Sequence, residues 1–112
     1  FLIVIKYCKR KEKRGATMIK VVAKNYVRQN DLARVVELYR ELIELTRKEK
    51  GCIRYELYQD EKDPLSIAMI EEWATKEDLE RHLSSDHFLR LVPQIREHMQ
   101  KQTDMGVYNR LI

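Results

Sequence analysis

Hydrophobic and polar side chains alternate along residues 19–27, which is the pattern of a half-buried β-strand. One face of this predicted strand carries Ile19, Val21, Ala23, Asn25 and Val27. Asn25 is therefore an amide on an apolar face, where it needs a hydrogen-bond partner or a cavity. Residues 52–58 alternate in the same way, and the inward face is predicted to hold Ile53, Tyr55 and Leu57.

Between these strands, residues 30–50 carry apolar side chains at helical spacing. The stripe consists of Leu32, Val35, Val36, Tyr39, Leu42, Ile43 and Thr46. Such a stripe must pack against a sheet, and Gly51 supplies the stop signal after the helix.

The second half of the chain repeats this order of elements. Residues 60–64 predict a turn, residues 66–73 a strand, and residues 75–83 a short helix with Thr75 as its N-cap. Residues 84–86 offer a new N-cap for a third helix, in which Pro93 either introduces a kink or marks a restart. Residues 104–112 predict the last strand.

No linker or repeat interrupts residues 18–112, so these elements predict one α+β domain of ferredoxin-like architecture. The antiparallel sheet then has helices on one face only. Because the other face is left bare, we expect a homodimer that closes the two sheets into a dimeric α+β barrel.

Charge changes the interpretation of the N-terminus more than that of the domain. Residues 1–17 contain six basic residues and one acidic residue, a net charge of +5, whereas the rest of the chain has a net charge of −1. We therefore treat residues 1–17 as a basic extension, native or added, and expect no nucleic-acid surface on the domain. Its apolar run is too short to span a membrane, although weak attraction to a membrane surface and pairing as an added strand are both open.

The two cysteines, Cys8 and Cys52, are far apart and show no metal or disulfide pattern. Reduced thiols in a cytoplasmic protein are the expectation. The chain also lacks a glycine-rich phosphate loop, a dinucleotide fingerprint and a nucleophile elbow.

Candidate chemistry is concentrated in two histidines. His82 borders the apolar stripe of its helix, where it is either a structural histidine or a base that faces a pocket, and we prefer it as the base. His87 lies in the first turn of the next helix, where the helix dipole favours a neutral ring. It is either the second candidate for the catalytic base, in contact with a substrate oxygen, or an exposed cap residue. Because the two histidines are five residues apart, a continuous helix would point them to different sides, and the helix cap between them further disfavours a shared metal.

Aromatic and polar residues on the inward faces complete the predicted site. Trp73 either packs in the core or forms one wall of a pocket for a flat substrate. Tyr55 and Phe88 are also predicted to contact the substrate. Of the two glutamates that precede Trp73, one is expected to form a salt bridge with a helix or with the partner chain, and the other is expected in solvent.

The segments GCIRY, EEW and HLSSDHF, in this order and spacing, resemble the antibiotic biosynthesis and quinol monooxygenases of the dimeric α+β barrel superfamily. The resemblance covers about residues 18–112 and implies oxidation of a quinol or polycyclic phenol by O₂ without a metal or organic cofactor. It also implies that Asn25, Trp73, His82 and His87 line the substrate cavity.

Two related activities fit less well. The resemblance to haem-degrading members places His82 where they have a tryptophan and Val92 where they have the axial histidine, so haem chemistry is not expected. Isomerisation of a small phosphorylated carbonyl compound would need a basic cluster, for which only Lys24 and Arg54 are placed. A non-catalytic ligand-binding or stress-response module of the same fold remains the alternative from a different class.

Overall fold

The computed structural model describes residues 18–112, so the predicted basic extension at 1–17 lies outside the described residues. The elements in chain order are β1 (Ile19–Tyr26), α1 (Leu32–Thr46), β2 (Cys52–Gln59), β3 (Ser66–Trp73), α2 (Lys76–Leu83), α3 (Asp86–Arg96) and β4 (Asp104–Asn109). The predicted order of strands and helices is confirmed.

The four strands form one antiparallel sheet in the order β2-β3-β1-β4. Inward residues of β1 lie opposite inward residues of β3, for example Val21 opposite Glu71 and Asn25 opposite Ile67. The helices cover this inward face, which confirms the predicted ferredoxin-like α+β fold. The other face of the sheet carries Val22, Ala68 and Ile70, which are partly buried within the chain.

The core lies between the inward sheet face and the helices. The buried side chains of α1 are Val35, Leu38, Tyr39, Leu42 and Thr46, which follow the helical spacing of the predicted stripe. They meet Val21, Met69 and Trp73 of the sheet, which are at most 2% exposed. Burial of this apolar surface provides the main driving force for folding.

A β-bulge changes which residues of β2 face inward. Cys52 pairs with Trp73 and Arg54 pairs with Glu72, so Cys52 and Ile53 together oppose one position of β3. As a result Tyr55 is buried while Ile53 is 55% exposed. The prediction that Ile53 faces inward with Tyr55 was therefore wrong.

Helix ends are set by local hydrogen bonds. The Thr75 hydroxyl accepts a bond from the Asp78 amide, and the Ser85 hydroxyl accepts one from the Phe88 amide. Pro93 lies inside α3 and marks no restart. The first helix and the last strand are shorter than predicted. Within residues 18–112 no helix is both long and apolar enough to cross a membrane.

Gly51 is required where α1 gives way to β2, and Gly51→Ala is expected to lower the free energy of unfolding by about 3 kcal/mol. Gly51 has φ +82°, and an added Cβ would lie 2.6 Å from the Cβ of Asp78 as well as against its carboxylate. Both the backbone conformation and the contact with a buried residue therefore oppose a side chain. Urea denaturation would measure the loss.

Gly106→Ala is the matched control. The nearest atoms to an added Cβ there belong to the ring and hydroxyl of Tyr108, which is 54% exposed within the chain, and Gly106 does not have a positive φ. We expect a loss below about 1 kcal/mol. Equal losses in the two variants would contradict the argument from the Gly51 backbone.

Candidate active site

A cavity of about 50 Å³ lies between the sheet and the helices. Its polar lining comes from Asn25, Tyr39, Tyr55, Glu71, Arg96 and Thr103. Its apolar lining includes Leu79, Leu83, Phe88, Val92 and Met105. The arrangement of a few polar groups in an apolar cleft is typical of a small-molecule site.

Asn25 is held at the cavity by two hydrogen bonds. Its amide nitrogen donates to the Tyr39 hydroxyl over 2.9 Å, and its amide oxygen accepts from the Thr103 hydroxyl over 2.5 Å. This satisfies a polar side chain that is 4% exposed on an otherwise apolar strand face. The partners are side chains of α1 and of the segment before β4, so Asn25 joins three parts of the cavity wall.

Glu71 is a carboxyl group on the inward face of β3, 7% exposed and in the cavity lining. Its Oε1 accepts a hydrogen bond of 2.9 Å from the indole nitrogen of Trp73. Burial raises the pKa of the Glu71 carboxyl to about 7, the bond from Trp73 opposes part of that rise, and the charge of Glu49 adds to it. A carboxyl with such a pKa can accept or release a proton near neutrality.

The two glutamates before Trp73 differ from the prediction. Glu72 faces the open side of the sheet, where it lies 3.4 Å from the Lys20 ammonium and 3.3 Å from the Arg54 guanidinium. Glu71 is buried and not in solvent. One glutamate does form a salt bridge, but with β1 and β2 of the same sheet and not with a helix or a partner chain. The expected solvation of the second glutamate was wrong because the inward side of the strand borders a cavity.

Trp73 is fully buried beside the cavity, although it is not among the side chains that line it in the described part of the chain. Its ring centroid lies 4.7 Å from that of His82 and 6.2 Å from that of Tyr55. Trp73 thus reaches the cavity through its hydrogen bond to Glu71.

His82 and His87 meet at Glu49. The Oε2 atom of Glu49 lies 2.7 Å from Nδ1 of His82 and 2.6 Å from Nε2 of His87. Glu49 belongs to the turn between α1 and β2, whereas the histidines belong to α2 and α3. The predicted divergence of the two histidines was therefore wrong, because the chain turns between the helices and brings His87 back beside His82.

His82 is 1% exposed and is enclosed by aromatic rings. Its ring centroid is 5.2 Å from that of Tyr55 and 5.0 Å from that of Phe88, and both of these side chains line the cavity. Burial lowers the pKa of His82, with the Glu49 carboxylate acting in the opposite direction. Its Nε2 atom is buried and has no hydrogen-bond partner among the described residues.

The predicted site residues therefore fall into two neighbouring groups. Asn25, Tyr55 and Phe88 line the cavity, while His82 lies directly behind its wall and His87 lies farther out, in a surface depression. Lys24 and Arg54, considered for phosphate binding, lie on the opposite face of the sheet and cannot reach a ligand in the cavity.

Sequence reasoning missed Glu71 and Glu49. The signal for Glu71 was its register, since it lies two residues before Trp73 and so shares the inward face of β3. Nothing comparable marked Glu49, which lies in a turn where a charged residue is ordinarily solvated.

Comparison with known proteins identifies the family to which this chain belongs. Residues 18–94 match the family model described as antibiotic biosynthesis monooxygenase, and the chain belongs to that family. A solved structure described as an antibiotic biosynthesis monooxygenase is 36% identical with a TM-score of 0.80, and the match covers 84% of this chain and 99% of that one.

A conserved protein from Methanosarcina mazei Go1 is also 36% identical, with a TM-score of 0.85 over 89% of this chain and 99% of that chain. An uncharacterised protein from Synechocystis is 29% identical over 96 residues, which is 85% of this chain. The chain spans 65% of the length of that relative.

Proposed function

We propose that this protein oxidises a quinol or related phenol with O₂, with Glu71 as the proton acceptor and without a metal or organic cofactor in the reaction. The single observation that carries the proposal is a carboxyl with a pKa of about 7 in an apolar cavity. Family membership supports monooxygenase chemistry as the class of reaction.

The reaction needs no external reductant. Glu71 takes a phenolic proton, and the resulting phenolate transfers an electron to O₂. Combination of the two radicals forms a peroxide anion on a ring carbon, and this anion takes the proton back from Glu71 to become a hydroperoxide. Loss of water from the hydroperoxide leaves a new carbonyl. A benzene-1,4-diol plus O₂ thus gives a hydroxyquinone and water, and the substrate supplies all four electrons.

Asn25 and the tyrosines around it provide electrostatic support for the phenolate. The Asn25 amide is fixed by Tyr39 and Thr103, so it need not reorganise when charge develops on a nearby oxygen. Burial raises the pKa of the Tyr39 and Tyr55 hydroxyls, which keeps them protonated as donors. The apolar remainder of the wall limits water around the peroxide.

Cavity size restricts the substrate. The enclosed space of about 50 Å³ is smaller than the ~150 Å³ of an apolar cavity that holds benzene. A substrate must therefore displace wall side chains, and Met105, which is 48% exposed, is the most easily moved. This favours a single-ring quinol over the polycyclic phenol expected from the sequence.

His82 remains the alternative candidate for the catalytic base. Glu49 fixes its ring, and Nε2 has no hydrogen-bond partner within residues 18–112, as a base would require. For direct proton transfer, however, the ring would have to pass the Tyr55 and Phe88 side chains that separate it from the cavity. Glu71 already lines that cavity.

Oxygen uptake with single-ring quinols and with menadiol, compared with their autoxidation, tests the function. We expect faster uptake with protein and, under ¹⁸O₂, one labelled atom in the product quinone. Autoxidation alone yields peroxide and an unlabelled quinone. Uptake equal to the blank for all quinols, together with saturable binding of them, would favour the non-catalytic binding module instead.

We also propose that the protein works as a homodimer joined through the open face of its sheet. The apolar side chains Val22, Ala68 and Ile70 lie there, and none of the helices within residues 18–112 covers them. Contiguous apolar surface of this kind commonly marks an association site.

A further inference from the structure

Glu49, His82 and His87 form a cluster that the proposed oxidation does not use. Their ligand atoms, two imidazole nitrogens and one carboxylate oxygen, all lie within 4.8 Å of one another. We propose that this cluster is a binding site for a divalent first-row transition metal ion such as Zn²⁺ or Fe²⁺. Two histidines and one carboxylate are a donor set that both ions accept, with coordination positions left for water.

Small movements convert the present hydrogen bonds into metal bonds. Glu49 Oε2 is 2.7 Å from one nitrogen and 2.6 Å from the other, whereas ligands of a tetrahedral ion lie about 3.3 Å apart. Glu49 must therefore withdraw by less than about 1 Å, and the two histidine nitrogens, which lie within 4.8 Å of one another, must also come to that spacing. Its side chain is 15% exposed and belongs to a turn, which leaves it that freedom. A metal-bound imidazole carries its proton on the nitrogen that does not bind the ion, which would be Nε2 of His82 and Nδ1 of His87.

His82 is the rigid ligand of the site, being 1% exposed, whereas the His87 side chain is 18% exposed. Trp73, Tyr55 and Phe88 pack around the His82 ring, at centroid distances between 4.7 and 5.2 Å. Ligand rings held in one orientation reduce the entropy that binding must remove. Because the same aromatic rings border the cavity, a bound ion would also fix that wall.

An entry path exists on the outer side. Glu49 and His87 lie in an open depression whose rim includes Lys50, Arg81 and Asp86. The basic rim would repel a cation, but Arg81 is paired with Asp78 over 2.8 Å, and Asp86 adds a carboxylate. The Ser85 hydroxyl, 3.3 Å from His87 Nε2, is a further oxygen at the site.

Competition between the protein and a chromophoric chelator for Zn²⁺ tests the proposal, with an untagged chain carrying both Cys8→Ser and Cys52→Ser. Removing the thiols eliminates the cysteine ligands for zinc, and His98 is then the one histidine of the sequence outside the cluster. We expect one saturable site per chain, and a visible Co²⁺ spectrum of an ion bound by nitrogen and oxygen without a thiolate band.

Glu49→Gln and His87→Gln should each weaken Zn²⁺ binding by at least about 100-fold, because removal of a ligand costs no less than loss of its supporting shell. His98→Gln is the matched control, since His98 forms an ordinary pair with Asp31 over 3.1 Å. Circular dichroism would verify that each variant is folded. If one of the two ligand variants does not fold, the other still tests the site.

The proposal is overturned if the cysteine-free chain shows no saturable Zn²⁺ site, or if the Glu49 and His87 variants bind as tightly as the His98 control. In either case the cluster has only a structural role, holding α2 and α3 against the turn before β2. Oxygen uptake does not enter this measurement, so the metal site and the proposed oxidation stand or fall separately.

Discussion

Glu71→Gln is expected to lower quinol turnover by about 100-fold or more while the protein stays folded. The amide keeps the size of the side chain and can still accept the hydrogen bond from Trp73, which is 2.9 Å long in the present structure. It cannot accept the phenolic proton. Initial rates of oxygen uptake, corrected for autoxidation, measure the effect.

Glu72→Gln is the matched control, because it makes the same change one residue along the strand on the opposite face. Glu72 contacts Lys20 and Arg54 and not the cavity, so its loss should leave turnover nearly unchanged. The wild-type kcat/KM should rise with pH through about 7 as Glu71 ionises. If Glu71→Gln keeps wild-type turnover and the same pH profile, Glu71 is not the base, and His82 becomes the residue to test.

Glu71→Gln should also raise the free energy of unfolding of the protein above neutral pH. The pKa of Glu71 rises from 4.5 to about 7 on folding, so the folded state holds the proton more tightly than the unfolded state. The resulting stability is present below pH 4.5 and is lost as pH rises through 7, a difference of about 3 kcal/mol. Glu71→Gln should therefore unfold at higher urea than wild type at pH 8, with a smaller difference at pH 5. A variant less stable than wild type at both pH values would contradict this account.

Periodicity predicted the elements because each of them has one buried face. The stripe on α1 and the alternation on β1 follow directly from the helix and strand repeats. Ile53 was misplaced because a one-residue bulge shifts the alternation, and no turn residue or proline marks that bulge in the sequence.

The site was harder to predict because it depends on contacts between elements. Asn25 could be singled out as an amide on an apolar strand. The meeting of Glu49 with His82 and His87 depends on how a turn and two helix ends pack, at sequence separations of 33 and 38 residues. Local sequence patterns do not show which residues so far apart in the chain come into contact, so each histidine was interpreted on its own.

Assembly through the open sheet face predicts that light scattering at micromolar concentration gives twice the chain mass of 13.5 kDa, and that Ile70→Arg gives the single mass. Ile70 pairs with Val22 at the centre of that face, where a symmetric partner would place two arginines close together. Desolvation and repulsion of these charges would dissociate the dimer.

Leu89→Arg is the control for this change. Leu89 is 60% exposed on α3, on the helical side of the molecule, so an arginine there should leave the doubled mass unaltered. Circular dichroism separates dissociation from unfolding. A wild-type mass of 13.5 kDa would refute the dimer. A doubled mass that survives Ile70→Arg but not Leu89→Arg would place the interface on the helices, and the bare sheet face would then need another explanation.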